Sequence, residues 1–424
     1  MFSNHIIMDL PKPGSDFFTF IASNSSADIS ALRLKLHGKA LSFDLDLALI
    51  QIECRRKCSS KLKKFVSNCH TIFPSTVSSE QASHEAVANF HSSLISCNDR
   101  ILDMTAGLGI DSFAFSSVAK EITSCEIDPV KASFLRYNIV VSGTSNMKAI
   151  CNDSMEFLSR CDNNFDLIFV DPARRGNGNS RVYNFKDCKP DILSGMNLLL
   201  SRAETVMIKA SPLLDISQTL RDIPCAKTIR AISVKGECKE ILIEASLHHQ
   251  NESTANGNIL AEAIDLNADG TVKSRFQFFI KRDETNCEIS EKSFAAIRYV
   301  SAEEISPGKF IYEPNAPVMK LAPWHELCER YPSIKKAAAS SHLFFSDIVI
   351  SDFPGRILEI TDIPDKKRLK SLKGKKINVV TRNYPMQASD LKKKLGLLEG
   401  DDTFLYASRL SDSSPILVTA KRMR

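Results

Sequence analysis

Hydrophobic and polar positions divide the chain into a helical beginning, an alternating middle and a mixed end. Residues 1–98 space their apolar positions as helices do, with lysine and arginine between them, as in LRLKLHGKALSFDLDLALIQIECRRKCSSKLKKFV. From residue 99 to about residue 247, short apolar runs alternate with amphipathic ones, which predicts strands and helices in turn. The later runs RILEITDI, INVVTRN, TFLYASRL and PILVTAKRM, with a helix at ASDLKKKLGL, predict an α+β end.

The middle segment predicts a parallel sheet. The apolar runs ILDM, EITSCEID, MKAICND, FDLIFVDP and TVMIKASP indicate successive strands with helices between them, and the fourth is almost wholly apolar, as a strand covered on both faces should be. KTIRAISV and EILIEASL are joined by the short polar link KGECK, which predicts an antiparallel hairpin. The expected fold class is α/β: a Rossmann-like core whose parallel sheet ends in an antiparallel hairpin, with a helical N-terminal region and α+β C-terminal domains.

The flanking segments carry more specific expectations. Ser78 and Gln81 fit a Ser-x-x-Gln capping box, which predicts one helix that ends at about residue 95. Beyond residue 247 we expect two strands around the turn NADG, and then short helices and turns, including Tyr312-Glu313-Pro314-Asn315. The N-terminal region also carries a basic helical face that either contacts nucleic acid or is solvated: Arg55, Arg56, Lys57, Lys61, Lys63 and Lys64.

Length and composition indicate a globular protein of several domains. With 424 residues, 43% hydrophobic and 25% charged, two or three cores are expected. No run approaches the roughly 20 apolar residues of a membrane span, and the N-terminus resembles no signal peptide. Twelve cysteines without a Cys-x-x-Cys pair predict free thiols, no metal site and a reducing, cytoplasmic environment; Cys54 and Cys58, on one helix face, are the place where a metal remains conceivable.

Charge is unevenly distributed. The net charge is +5, yet residues 350–424 contain 16 lysines and arginines against 9 aspartates and glutamates. A basic end beside a near-neutral body suggests a polyanionic partner, although a solvated lysine-rich face is the competing interpretation. The residues that we expect to contact RNA, if the partner is RNA, are Lys366, Lys367, Arg368, Lys375, Arg382, Lys392 and Lys393.

Acidic residues stand at the ends of successive predicted strands. Asp103 ends the first, Glu126 the second, Asp153 follows the third and Asp171 ends the fourth. In an open parallel sheet these ends line one crevice, where a Gly-x-Gly turn lets the backbone approach a nucleotide-like ligand. We therefore expect Glu126 to bind both hydroxyls of a ribose and Asp153 to bind an exocyclic adenine amine. Asp153 as a simple helix cap and Asp103 as a simple strand end remain alternatives.

These motifs resemble those of class I S-adenosylmethionine-dependent methyltransferases. DMTAGLGID, CEID, CND and VDPARR look like their first four motifs, and SSEQAS is similar to a segment that closes over the cofactor in several nucleic-acid amino-methyltransferases. Taken whole, the chain resembles a bacterial family that joins such a core to a ferredoxin-like segment and a THUMP-like domain. DCKPDIL, IKASPLLDI, ECKEILI, YEPNAPVMK, DFPGR and VVTRNYPMQASDLKKKLGL also carry the resemblance.

The resemblance implies a domain organisation and a site. It implies a helical region at 1–98, a methyltransferase core at 99–283, a ferredoxin-like segment at 284–345 and a THUMP-like, RNA-binding domain at 346–424. It also implies S-adenosylmethionine as cofactor and RNA, either tRNA or rRNA, as substrate. The implied cofactor-binding residues are Gln81, Asp103, Thr105, Gly107, Gly109, Asp111, Glu126, Asp153 and Asp171. The implied catalytic residues are Asp171, Pro172 and Arg174, and the implied substrate-binding residues are Arg174, Arg175, Tyr183, Lys209 and Ser211.

The fourth motif departs from the usual pattern and leaves the methylated atom open. Enzymes that methylate exocyclic amines usually carry Asp/Asn-Pro-Pro followed by an aromatic residue, whereas DPARR has none, so Arg174 either stacks on a base or grips a phosphate. Methylation of uracil carbon 5 needs a cysteine where Ala210-Ser211-Pro212 stands. Ribose 2′-O-methylation through Asp171, Lys209 and a hairpin glutamate ranks lowest, and a base nitrogen ranks first.

Two rivals belong to other functional classes. An NAD-dependent oxidoreductase would also use Gly107, Gly109 and Glu126, but its third glycine would fall at Ser112, and DPARR would have no role. A non-catalytic RNA-binding or assembly factor that merely retains the cofactor fold is the second rival. Transfer of labelled methyl groups to RNA distinguishes the enzyme from both.

Overall fold

The computed structural model describes residues 13–162, 164–174, 185–247, 258–281, 297–400 and 402–423. The chain divides into two compact units. The first comprises Met1–Lys235, Lys239–Leu260 and Leu266–Lys273, and the second comprises Gly236–Cys238, Ala261–Asp265 and Ser274–Arg424. Among the described helices, none is long and apolar enough to cross a membrane.

The N-terminal region is helical, as predicted. Aromatic and aliphatic side chains of its helices form buried clusters around Phe17, Leu49 and Phe73. Asp28 and Asp44 cap two of the helices by accepting hydrogen bonds from backbone amides in the first turn. The helices are α1 Ser15–Ser23, α2 Ile29–Leu36, α3 Leu45–Cys58, α4 Lys63–Ser67, α5 Thr76–Gln81 and α6 Glu85–Ser92.

The predicted capping box and single helix after residue 78 are wrong. Ser75 is the residue that caps α5, because its hydroxyl accepts from the backbone amide of Ser78. The chain then leaves the helical conformation at Ala82, and a second helix, α6, begins at Glu85 with His84 as its cap. The physical reason is a buried contact: the hydroxyl of Ser83 turns inward, and a continuous helix would not place it there.

The large sheet has the strand order β11-β10-β8-β9-β7-β4-β1-β2-β3. Strands β1, β2, β3, β4 and β7 pair in parallel, and β9 pairs antiparallel with β7. The predicted parallel sheet that ends in an antiparallel hairpin is therefore confirmed. The strands of this part of the chain are β1 Arg100–Asp103, β2 Glu121–Glu126, β3 Met147–Cys151, β4 Phe165–Val170, β5 Ala173–Arg174, β6 Cys188–Lys189, β7 Ala203–Ala210, β8 Ala226–Val234, β9 Glu237–Ala245, β10 Ile259–Leu266 and β11 Val272–Ile280.

Helices connect the parallel strands and begin at well-defined caps. Asp128 caps α8, and Pro129 occupies the first helical position, where the missing amide proton of proline costs no hydrogen bond. The apolar strand β4 is buried, as its sequence predicts, with Ile168 and Val170 fully covered. The connecting helices are α7 Ile110–Ser116, α8 Pro129–Val141, α9 Ser154–Arg160, α10 Ile192–Arg202 and α11 Ile216–Asp222.

The second unit contains a seven-stranded mixed sheet of order β13-β14-β12-β15-β18-β17-β16. Its core contains Leu343, Leu358, Tyr406 and Val418. Its strands are β12 Phe310–Pro314, β13 Lys335–Lys336, β14 Phe344–Ser346, β15 Gly355–Asp362, β16 Asn378–Thr381, β17 Thr403–Arg409 and β18 Pro415–Arg422, and its α-helices are Ala316–Leu321, Trp324–Arg330, Lys366–Ser371 and Ala388–Leu395.

Two local expectations for the second unit need correction. The expected turn at Tyr312-Glu313-Pro314-Asn315 is the end of strand β12, and Asn315 caps the next helix by accepting from the amide of Val318. Tyr312 is fully buried, which explains why the strand continues through it. The four strands and the helix predicted near the C-terminus are all present, and the helix Lys366–Ser371, capped by Asp365, is additional.

Candidate active site

The glycine turn after β1 approaches strand β2 closely. Gly107 and Gly109 both have positive φ, of 54° and 86°, which L side chains rarely adopt. A Cβ on Gly109 would lie 2.5 Å from the Leu135 side chain, so this position accepts no larger residue without rearrangement. The turn ends at Gly109, which is the first residue before helix α7.

Glu126 is held against this turn by backbone amides. Its two carboxylate oxygens accept from the amides of Gly107, at 3.0 Å, and Asp128, at 2.9 Å. The side chain is buried, while the next residue, Ile127, is an apolar side chain with 67% exposure. A fixed carboxylate beside an exposed apolar surface suits a ligand that combines hydroxyl groups with a flat ring.

Asp103 is a buried carboxylate beneath the same turn. It accepts from the amide of Thr105, at 3.0 Å, and from the Ser112 hydroxyl, at 2.5 Å. Burial raises the pKa of Asp103 to about 7, although these two hydrogen bonds oppose the shift. Asp103 therefore stabilises the glycine turn through its hydrogen bonds with Thr105 and Ser112.

Asp153 caps helix α9. One of its oxygens accepts from the amides of Met155, at 2.8 Å, and Glu156, at 3.2 Å, and the residue is exposed. The helix-cap alternative thus describes its contacts, and a role toward an adenine amine stays a prediction. Gln81, predicted to touch the cofactor, is the last residue of α5 and is exposed.

Asp171 and Lys209 form an ion pair at the ends of neighbouring parallel strands. The Lys209 ammonium donates to Asp171 Oδ2 at 2.6 Å, and the Asp171 amide donates to the Thr105 hydroxyl at 2.7 Å. The Asp171 side chain is 39% exposed, whereas that of Lys209 is only 12% exposed. Within the described part of the chain, Oδ1 of Asp171 has no hydrogen-bond partner. Asp171 is therefore an accessible hydrogen-bond acceptor whose other oxygen is held by the largely buried Lys209.

A series of buried polar side chains continues from this pair into the protein. Lys209 donates to Ser83 Oγ at 2.7 Å, and Ser83 donates to Asp111 Oδ2. His91 lies between two carboxylates, with Nδ1 2.9 Å from Asp111 Oδ1 and Nε2 2.6 Å from Glu240 Oε1. We call the six side chains the polar chain: Asp171, Lys209, Ser83, Asp111, His91 and Glu240.

The pKa values follow from the order of charges in the polar chain. Although burial opposes the charge, the carboxylates of Asp171, Asp111 and Glu240 raise the pKa of Lys209 well above its ordinary value. Burial likewise opposes the charge of Asp111, yet Lys209 and His91 lower its pKa to about 2. For Asp171, burial raises the pKa and Lys209 counteracts it. Lys209 is thus held as an ammonium ion.

The other predicted substrate-side residues lie after β4 and β7. Pro172 follows Asp171 directly, and Arg174 lies in the short strand β5, which pairs with β6. Ser211 follows β7, and its hydroxyl accepts from the Leu213 amide at 3.3 Å. Arg175 and Tyr183 lie outside the described residues.

The predicted RNA-contacting residues of the second unit have two kinds of surroundings. Lys366, Lys367 and Lys393 lie on exposed helical positions, and Lys375 is an exposed loop residue. By contrast, Arg368 pairs with Asp362, Lys392 pairs with Glu399, and Arg382 donates to the buried Glu313 at 2.6 Å.

The basic face of the N-terminal region is mostly occupied by internal contacts. Arg55 donates to the carbonyls of Val66, Asn68, Cys69 and Thr71. Three other members also have partners within the protein: Arg56 donates to the Ser25 and Ala27 carbonyls, Lys57 pairs with Glu53 and Glu80, and Lys61 donates to the Ser79 and Glu80 carbonyls. Lys63 and Lys64 are exposed.

The cysteines of this region form no metal cluster. Cys54 and Cys58 are buried, and their thiols contact the carbonyls of Ser75 and Ser79. Burial raises the pKa of Cys54 to about 11, which keeps it protonated. Across the residues that the structure describes, no three His, Cys, Asp or Glu side chains gather as metal ligands do.

Sequence reasoning missed three residues of this site. His91 precedes the first strand and belongs to no motif, whereas Ser83 is the last residue of the segment SSEQAS, whose resemblance assigns it no role of its own. Ile127 has no charge, and its only indication in the sequence is its place directly after Glu126. The hairpin glutamate, anticipated without a number, is Glu240.

Three family profiles match the chain. A profile described as "Putative SAM-dependent methyltransferase" matches residues 34–176, a ferredoxin-like domain profile matches residues 310–354, and a THUMP domain-like profile matches residues 355–422.

Similar proteins fall into partial and full-length matches. The chain is 30% identical over 90 residues to an "Uncharacterized RNA methyltransferase" of Mycoplasma mobile, covering 21% of this chain and 25% of that protein. It is 29% identical over 142 residues to an "Uncharacterized S-adenosylmethionine-dependent methyltransferase" of Mycobacterium tuberculosis, covering 32% of this chain and 36% of that protein. The chain thus spans about a quarter to a third of these curated relatives. A crystal structure titled "putative methyltransferase from Porphyromonas gingivalis W83" matches with a TM-score of 0.80 and 25% identity, covering 96% of this chain and 98% of that one.

Proposed function

We propose that this chain is an S-adenosylmethionine-dependent methyltransferase with ferredoxin-like and THUMP-like domains, and that it methylates RNA on a base nitrogen. The observation that carries the proposal is the state of Asp171. Its carboxylate is half-exposed at the end of β4, fixed by the ammonium of Lys209, and keeps one oxygen available. Such an oxygen is a hydrogen-bond acceptor for the N–H of a target nucleotide.

The residues around the glycine turn fit the cofactor. Glu126 would accept from the ribose hydroxyls, Ile127 offers an apolar surface for the adenine ring, and the positive-φ turn at Gly107 and Gly109 allows close backbone approach. When bound, S-adenosylmethionine supplies an electrophilic methyl group. The protein then has to orient the nucleophile, exclude water and receive a proton.

Asp171 is the residue that we assign to the nucleophile. By accepting a hydrogen bond from the target N–H, its carboxylate orients the nitrogen lone pair toward the methyl group. A nitrogen that gains a methyl group has to release a proton, and the partly exposed Asp171 carboxylate would be an acceptor for it. The Pro172 carbonyl is a second acceptor for an amine, and Arg174 and Arg175 would hold the nucleotide.

The alternative methylation chemistries have weaker support. Ribose 2′-O-methylation needs a group that takes a proton from a hydroxyl. Although burial opposes the charge, the three carboxylates around Lys209 raise its pKa, which disfavours the neutral amine that would act as this base. Covalent attack on uracil needs a thiol, and Ser211 stands in the position of that thiol, after β7.

An RNA substrate is supported by the second unit and by one relative. The THUMP-like match covers residues 355–422, where Lys366, Lys367, Lys375 and Lys393 are exposed. A similar protein is named as an RNA methyltransferase. We propose tRNA or rRNA as the substrate and the cytoplasm as the location, where thiols such as that of exposed Cys69 remain reduced.

The experiment is transfer of labelled methyl groups to total RNA from a strain that lacks the gene, followed by digestion and identification of the modified nucleoside. Wild-type protein should produce one methylated base, and Asp171→Ala and Arg174→Ala should lose transfer while binding S-adenosylmethionine normally. Label that appears on ribose, or no label on RNA at all, would reject the proposal. Tighter binding of NAD than of S-adenosylmethionine would instead favour an oxidoreductase.

A further inference from the structure

Ser83 lies in the break between helices α5 and α6, and its contacts with the polar chain coincide with that break. Helix α5 ends at Gln81, Ala82 has φ −56° and ψ 148°, and helix α6 begins only at Glu85. The short extended segment places Ser83 Oγ within hydrogen-bonding distance of Lys209 and Asp111. His91 lies in the last turn of α6, and its side chain is buried. Two members of the polar chain thus come from outside the sheet.

The donor of each hydrogen bond in the polar chain can be assigned. Ser83 has a single hydroxyl proton, which goes to Asp111, because Lys209 can only donate to it. His91 contacts a carboxylate with each ring nitrogen, so both nitrogens donate when the ring is an imidazolium. The rings of Phe115 and Phe169 line its sides, at 6.5 and 5.5 Å between centroids.

Acidic and basic side chains alternate along the polar chain. The order is Glu240, His91, Asp111, Lys209 and Asp171, with the Ser83 hydroxyl between Asp111 and Lys209. His91 is fully buried, and the side chains of Glu240 and Asp111 are 4% and 9% exposed. Only the last member, Asp171, is substantially accessible. A buried, fully satisfied network of this kind holds its members in one arrangement.

We propose that Ser83 and His91 are positioning residues for methyl transfer. Ser83 accepts directly from the Lys209 ammonium, and His91 holds Asp111, to which Ser83 donates; together they keep Lys209 against the Asp171 carboxylate and so fix the acceptor for the target nitrogen. This inference rests on the proposed function, and it extends the site into the helical N-terminal region. It also gives Asp111, expected to contact the cofactor, two internal partners that occupy both of its carboxylate oxygens.

The proposal predicts how the site responds to pH. The charged and titratable groups around Asp171 are Lys209 on β7, Asp111 on α7, Glu240 on β9 and Asp103 at the end of β1. Lys209 is the one that lowers the pKa of Asp171, and the carboxylates raise it. If Lys209 is held less well, the pKa of Asp171 rises, and methyl transfer loses its active form at a higher pH.

The test compares Ser83→Ala with Ser92→Ala in the full chain. Both remove a buried serine hydroxyl from the helical N-terminal region, but the Ser92 hydroxyl donates to the Asn89 carbonyl of its own helix. Ser83→Ala should reduce kcat about 10- to 100-fold, the cost of a small misplacement. It should also shift the acid limb of kcat/KM to higher pH and leave S-adenosylmethionine affinity unchanged by calorimetry. Ser92→Ala should retain the wild-type rate and profile.

A second variant separates positioning from folding. His91→Gln should lower kcat in the same way, and adding Ser83→Ala to it should cost little more, because His91 reaches Lys209 through Asp111 and Ser83. Equal losses in Ser83→Ala and Ser92→Ala, an unmoved acid limb, or additive losses in the double variant would overturn the inference. A wild-type protein that methylates no RNA would instead reject the proposed function itself.

Discussion

The two halves of the strand-end crevice are built differently. In the half formed by β1, β2 and β3, carboxylates accept from backbone amides that are close in sequence, as Glu126 does from Asp128 and Asp153 does from Met155. In the half formed by β4, β7 and β9, the partners are side chains from distant segments: Lys209 reaches Asp171, and His91 reaches Glu240 across 149 residues.

The half formed by β1, β2 and β3 is expected to tolerate substitutions better than the half formed by β4, β7 and β9. Backbone amides are present whatever the side chain, so the first half depends on the glycine turn and a few carboxylates. The second half needs every member of the polar chain, since removing one leaves buried charges without partners, which is costly. We therefore expect substitutions in the first half to affect cofactor affinity, and those in the second half to affect turnover.

The largest effect is expected for Lys209→Met. Loss of the ammonium leaves Asp171 and Asp111 without their shared cation, so methyl transfer should fall by about 10²–10³-fold. The midpoint of thermal unfolding should also fall. Lys227→Met, which removes a half-exposed lysine from β8, is the matched control. Single-turnover kinetics with labelled cofactor measure the rate, and an unchanged rate would assign Lys209 a purely structural role.

The second-largest effect is expected for Glu126→Ala, which tests the half formed by β1, β2 and β3. Because Glu126 would lose the bonds to the ribose hydroxyls, S-adenosylmethionine binding should weaken by about 1–3 kcal/mol. Glu121→Ala, at the opposite end of strand β2, changes the same residue type at an exposed position and should bind normally. Calorimetry that shows equal affinities for the two variants would remove Glu126 from the cofactor site.

The predictability of the two halves from sequence follows the same division. The glycine turn and Asp103, Glu126 and Asp171 are recognisable because their spacing along the chain fixes where they fall on parallel strands. Ser83 and His91 could not be found in this way, because only the tertiary structure brings them to Lys209 and Glu240. The capping prediction at Ser78 was wrong for the same reason: a distant contact of Ser83 interrupts the helix.

A smaller effect is expected from the pH dependence of stability. Although burial opposes its charge, Glu240 and Asp111 raise the pKa of His91 from 6.5 to about 9. Its contribution to the free energy of unfolding is therefore complete below about pH 6.5 and disappears as the pH rises through about 9. His91→Gln should destabilise most at pH 6 and much less at pH 10, measured by urea unfolding. A destabilisation by His91→Gln that stays constant between pH 6 and pH 10 would contradict the imidazolium.

The smallest effect is expected from the surface lysines of the second unit. Lys366→Glu with Lys367→Glu should weaken RNA binding and lower the slope of log affinity against log salt by about two, one for each phosphate contact. Lys35→Glu with Lys39→Glu makes the same charge change at exposed N-terminal positions. If both pairs weaken RNA binding equally, the effect is one of net charge, and these lysines form a solvated face.

The most direct test of the division between the two halves measures S-adenosylmethionine affinity and the single-turnover rate of RNA methylation on the same preparations of Asp171→Asn and Glu126→Ala. Asp171→Asn keeps the shape of the side chain and removes its charge, so it should bind the cofactor like the wild type and methylate RNA at least about 100-fold more slowly. Glu126→Ala should bind weakly and regain most of the wild-type rate when the cofactor is saturating. Wild-type turnover by Asp171→Asn, or loss of cofactor affinity in both variants, would contradict the assignment of Asp171 to methyl transfer and of Glu126 to cofactor binding.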